Sequence, residues 1–140
     1  MSVGIIMPVQ FTGSFKMDEP HCTLIYLGKS MHHSRRNILE NAVQRLRMQV
    51  TPKLIPVTGL AVFGHGDHTV MKLETEILKS WRAFIEKELR HDGITSASEW
   101  AYNPHVTINK HEHSEVPVPP WEGWTTPSSV WLDRPTLMWK

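Results

Sequence analysis

The chain has 140 residues, 40% hydrophobic and 21% charged, with a formal net charge of +1. That length fits a single domain, 1–140, with core enough to fold without staples, and the composition excludes a disordered chain. So small a charge supplies no global field for duplex DNA or an anionic membrane, and any nucleotide must be held by a local site.

In chain order, the apolar run Val3 to Val9 reads as an opening strand, after which Gly13 breaks the chain. Pro20 precedes a second strand, His21 to Leu27, closed by Gly28. From about Ser30 to Val50, the residues Ile38, Leu39, Ala42, Val43, Leu46 and Met48 recur near helical spacing, until Pro52 stops the helix. Lys53 to Phe63 and His68 to Leu73 read as strands joined by Gly64-His65-Gly66-Asp67, a good hairpin loop. Thr75 is placed to cap a second helix from Glu76 to about Arg90, which Gly93 ends. Pro104 precedes a strand from His105 to about Asn109, and the proline-rich Val116–Pro120 stretch is a surface connection. Two further strands, Ser129–Leu132 and Thr136–Trp139, finish the chain. With four tryptophans in the last twenty residues, they read as a packed C-terminal strand pair. The result is an α+β pattern in which a strand–helix–strand–strand order partly recurs.

The repeat becomes concrete at two places. Pro20-His21-Cys22-Thr23-Leu24 and Pro104-His105-Val106-Thr107-Ile108 share one pattern: Pro, His, apolar, Thr, branched aliphatic. Strand side chains alternate faces, so His21 and Thr23 point one way while Cys22, Leu24 and Tyr26 point the other. On the same rule His105, Thr107 and Asn109 share a face, with Val106 and Ile108 behind them. Brought together about a pseudo-twofold axis, the polar faces form a cleft with two imidazoles and two hydroxyls. That inventory suits a phosphodiester. A neutral imidazole takes a proton from the attacking hydroxyl or water, and a protonated one gives a proton to the leaving oxygen. The hydroxyls hold the non-bridging oxygens, and no metal or other cofactor is needed.

These motifs resemble the paired His-x-Thr/Ser signatures of the two-histidine phosphoesterase superfamily. Its members include bacterial RNA 2′,3′-cyclic phosphodiesterases, the plant cyclic phosphodiesterase and phage nucleases that degrade cyclic-oligonucleotide signals. The resemblance covers most of the chain. It implies a bilobal fold with two pseudo-symmetric antiparallel-sheet lobes, helices on the outside and a central cleft, and it maps the catalytic roles onto His21, Thr23, His105 and Thr107. The substrate it implies is a nucleotide phosphodiester, with a 2′,3′-cyclic phosphate on an RNA end or a mononucleotide foremost. A viral counter-defence nuclease acting on cyclic nucleotides and a non-catalytic nucleotide-binding module are the alternatives.

Around the motifs, Asn109 continues the cleft face, Lys110 is a candidate phosphate contact, and Phe63, Tyr102 and Trp124 stand near loop ends where an aromatic can stack on a base. Tyr26, Trp81 and Phe84 read as core, and Cys22 as a small buried residue rather than a nucleophile. The pairs and near-pairs His32-His33, His65 and His68, and His111 and His113 lack the convergent spacing of a metal site, and His91 near a helix C-terminus suits the helix dipole. One cysteine permits no internal disulfide, and neither a signal peptide nor an apolar run long enough to span a bilayer is present. A cytoplasmic monomer is the expectation.

Overall fold

The computed structural model describes residues 1–11, 17–98 and 101–140, so Gly13 lies outside the described residues. Strand β1 (Val3–Gln10) is followed by β2 (His21–Gly28), helix α1 (Arg36–Arg47), β3 (Lys53–Phe63), β4 (His68–Leu73) and helix α2 (Glu76–Arg90). Strands β5 (His105–Lys110), β6 (Ser129–Leu132) and β7 (Thr136–Trp139) complete the chain. This is the α+β fold that the alternation of apolar periods predicts.

The helices owe their position to their stripes. Leu39, Ala42, Val43 and Leu46 of α1 are buried, as are Leu78, Trp81, Ile85 and Leu89 of α2, each set at the i, i+3/i+4, i+7 spacing of one helix face. The helices lie side by side, α2 against β2 and α1 against β7, with Arg45 and Glu88 paired across them at 2.8 Å. Their starts differ from the sequence reading. A 3-10 turn at His33–Arg35 precedes α1, with the His32 ring accepting from the Ser34 amide. Thr75 stands at the start of α2 but its hydroxyl makes no capping bond. Helix α1 has already ended at Arg47, so Pro52 marks the entry to β3 rather than the stop.

All strand pairs are antiparallel, and the ladder runs β2–β5–β4–β3–β6–β1, then returns from β1 to β2. Strands β6 and β7 are not partners of each other. Both lie along β1, β7 beside Val3–Ile6 and β6 beside Val9–Gln10, because β1 is long enough to hold both in series. One continuous core, from Val3 on β1 to Leu132 on β6, fills the space between strands and helices. Tyr26 stands apart from this core and is only half-buried.

The two halves mirror each other in register. On the first side Pro8 pairs with His21, Met7 with Cys22 and Ile6 with Thr23. Ile5 then pairs with Ile25 and Gly4 with Tyr26, so Leu24 is an extra residue in β2. On the second side Lys72 pairs with His105, Met71 with Val106 and Val70 with Thr107. Thr69 then pairs with Asn109 and His68 with Lys110, so Ile108 is an extra residue in β5. Each half thus carries a β-bulge one residue after its threonine, and a bulge of that kind reverses the face of everything beyond it. Gly4 sits one pair beyond the first bulge, where a Cβ would come within 2.9 Å of the Ile25 carbonyl oxygen.

Candidate active site

Strands β2 and β5 meet at a single antiparallel pair, Cys22 with Val106. One step along that register in either direction sets His21 opposite Thr107 and Thr23 opposite His105. The local twofold therefore passes through two fully buried apolar side chains, with the four polar motif residues on the opposite, half-buried face. His21, Thr23, His105 and Thr107 line one cleft of about 230 Å³, together with Met17, Glu19, Pro20, Ile108 and Lys110. That volume lies below the roughly 300–1,000 Å³ of drug-sized pockets and suits a group as small as a phosphate.

Each histidine is held by the same device. The Nδ1–H of His21 donates to the Glu19 carbonyl at 3.0 Å, and that of His105 to the Asn103 carbonyl at 2.7 Å. A carbonyl only accepts, so Nδ1 carries the proton in both rings and Nε2 is left for the cleft. Glu19 adopts φ 42°, a left-handed conformation in a non-glycine residue ahead of a proline. Such strain costs about 1–3 kcal/mol and clusters at functional sites. Here it turns the carbonyl back onto the ring. Phe63 meets the His105 ring edge-on with centroids 4.7 Å apart, fixing its plane. Burial holds the His105 pKa below the usual imidazole range, and the charges of His68 and His21 push the same way against the raising effect of the Asn103 carbonyl. That depression favours the neutral form of the His105 ring.

The first motif is braced from behind. Tyr102 donates its hydroxyl to the Thr23 carbonyl at 3.2 Å, and the Arg82 guanidinium lies 4.8 Å over the Tyr102 ring. Arg82 also donates to the carbonyl of the bulged Leu24 at 3.1 Å. Burial pushes the Cys22 thiol up to about 11, so it is protonated at neutrality and is no nucleophile.

The flanking candidates divide. The bulge at Ile108 turns Asn109 to the far face, where its amide donates to the Val118 and Pro119 carbonyls and ties down the proline-rich stretch. The same bulge brings Lys110 onto the cleft face. Tyr102 is half-buried behind Thr23, and Phe63, the cross-strand partner of His68, sits edge-on to the His105 ring on the cleft face. Trp124 packs edge-on to Trp121 and donates to Thr126. In β2 the bulge turns Ile25 inward and Tyr26 onto the cleft face, against the alternation read from sequence. Among the loop histidines, His111 is engaged at both nitrogens, by Thr69 and the Glu112 carbonyl, and His113 by the His65 carbonyl. Among the described residues no three His, Cys, Asp or Glu side chains converge as metal ligands, and no helix is long and apolar enough to cross a membrane.

Glu19, Asn103 and Arg82 are the site residues that the sequence reading missed. The signal for the first two was present, since each sits directly before the proline of its motif.

No family model and no curated protein matches the chain. Solved structures do. TT0787 of Thermus thermophilus aligns at a TM-score of 0.63 and 15% identity over 98% of this chain and 84% of that one. E. coli LigT complexed with 3′-AMP aligns at 0.61 and 14% identity over 98% and 87%. The MHV ns2 PDE domain aligns at 0.61 and 17% identity over 81% and 86%. The chain has the LigT-like α+β fold of these proteins.

Proposed function

We propose that the chain is a two-histidine phosphoesterase that hydrolyses a nucleotide phosphodiester, foremost a 2′,3′-cyclic phosphate on RNA or a mononucleotide. The observation that carries this is the cleft itself, in which two Nδ1-tethered imidazoles and two threonines are arranged about one local twofold. The fold shared with phosphoesterases, one of them complexed with 3′-AMP, supports it.

Neutral His105 takes a proton from a water molecule as its oxygen attacks phosphorus. Protonated His21 delivers a proton through Nε2 to the departing ribose oxygen as the P–O bond breaks. The product is a phosphomonoester with a free hydroxyl, and proton exchange with solvent restores both rings. Thr23 and Thr107 donate to the non-bridging oxygens as charge builds on them, with Lys110 at the cleft wall as a nearby cation.

Turnover of adenosine 2′,3′-cyclic phosphate in excess EDTA tests this reading. Activity should survive chelation, because the two imidazoles supply both proton transfers. Loss on chelation with recovery on adding zinc or manganese would overturn the mechanism.

A further inference from the structure

The two walls of the cleft match in backbone and differ in charge. Cross-strand partners point to the same face, so the cleft face of the second wall carries Lys72, His68 and Lys110 beyond its motif. The mirror positions of the first wall carry Pro8, Gly4 and Tyr26. Evolving two halves on one backbone plan does not require this difference. The substrate supplies a reason, because an elongated anion lies off the axis and meets only one wall.

His68 and Lys110 are direct partners across β4 and β5, and the next cleft-facing pair along the wall is Val70 with Thr107. Strand rise puts the two pairs about 7 Å apart. That is the order of distance between successive phosphates of a single strand. The Asp67 carboxylate accepts the Nδ1–H of His68 at 2.7 Å, which fixes the ring and leaves Nε2 free to donate when charged. A hairpin glycine protects this arrangement, since Gly64 has φ +70° and a Cβ there would collide with the Asp67 carboxylate and the His68 ring. Lys110 is exposed and lines the same cleft as both motifs. The charge of His68 also acts on the His105 ring.

We propose that His68 and Lys110 form a subsite for a second phosphate of the substrate, one step along the β4–β5 wall from the scissile one. This rests on the phosphodiesterase reading above and narrows it to substrates bearing at least two phosphates, either a 5′-phosphorylated cyclic nucleotide or an oligonucleotide.

The test compares kcat/KM for adenosine 2′,3′-cyclic phosphate, its 5′-phosphorylated form, and a dinucleotide ending in a 2′,3′-cyclic phosphate. A second phosphate should raise kcat/KM by about tenfold or more, the effect of one charge-assisted hydrogen bond. Lys110→Gln and His68→Gln should each lower that ratio, and the double variant should bring it close to one. Preference for the 5′-phosphorylated mononucleotide identifies a terminal phosphate as the occupant, and preference for the dinucleotide an internal one. A wild-type ratio of one, or a ratio that neither variant changes, overturns the subsite while leaving the phosphodiesterase reading intact. If no substrate turns over, calorimetric binding of 3′-AMP against adenosine 3′,5′-bisphosphate decides. Tighter binding of the bisphosphate that both variants abolish upholds the subsite and removes the phosphodiesterase reading. Equal binding removes the subsite.

Discussion

Replacing His105 by Ala removes the proposed base and little else. The ring contributes one edge contact with Phe63, about 0.5–1.5 kcal/mol, and one backbone bond to Asn103, about 1 kcal/mol. Against a total stability of roughly 5–15 kcal/mol the variant stays folded, so a loss of activity reports chemistry. That loss should be about 10²–10⁴-fold in kcat. The wild-type pH profile of kcat/KM carries the sharper information. His105 must be neutral to act, and its pKa is depressed by burial, so the acid limb should fall below the ordinary imidazole value of about 6.5. Because the proposed mechanism needs one neutral and one charged imidazole, the whole profile should be a bell. The same depression sets a stability trend. Between the folded and the unfolded pKa of His105 the unfolded chain binds more protons. Its contribution is therefore present above about pH 6.5 and is lost as pH falls through the folded value. The assay is chromatographic measurement of the opened monophosphate across pH, with thermal unfolding in the same buffers. A flat profile, or a His105→Ala protein that keeps most of its activity, would refute the assignment.

Thr23→Val and Thr107→Val each remove one donor to a non-bridging oxygen, and kcat/KM should fall by about one to two decades, less than for either histidine. Tyr102→Phe deletes the bond to the Thr23 carbonyl and should cost about 0.5–1.5 kcal/mol in denaturant unfolding. Because that bond braces the cleft, Tyr102→Phe should also lower kcat more than it changes KM, and an unchanged kcat would show that Thr23 needs no such support.

What could be read from the chain follows from what each feature writes into it. The helices were legible because one buried stripe repeats over many residues, and the paired motifs because their chemistry recurs residue for residue. The bulges were not. An extra strand residue such as Leu24 or Ile108 has the size and branching of an ordinary core residue, so alternation carried straight past it and exchanged Asn109 for Lys110 on the cleft face. Strand partners were equally silent. The run Asp133-Arg134-Pro135 looks like a turn between paired strands, yet the free edge of β1 takes both neighbours. Aromatic residues near loop ends gave no hint of direction: Tyr102 turned inward behind Thr23, while Phe63 stands on the cleft face beside His105.

The bulges also shape the walls on which the proposed acid–base pair would work. A strictly alternating His-x-Thr-x-x strand would present its fifth residue, Ile25 or Asn109, on the cleft face. With the extra residue, the fifth residue turns inward and the sixth, Tyr26 or Lys110, takes its place. Ile25 then adds to the core, while Asn109 fastens the loop behind the sheet. The twofold supplies two equivalent imidazoles, but acid–base catalysis needs them unequal. The inequality comes from the walls. His105 has Phe63 against its ring and the charge of His68 nearby, while the mirror of His68 is Gly4. Matching backbone brings the two rings together, and different neighbours on that backbone are what would make one of them the base in the proposed mechanism.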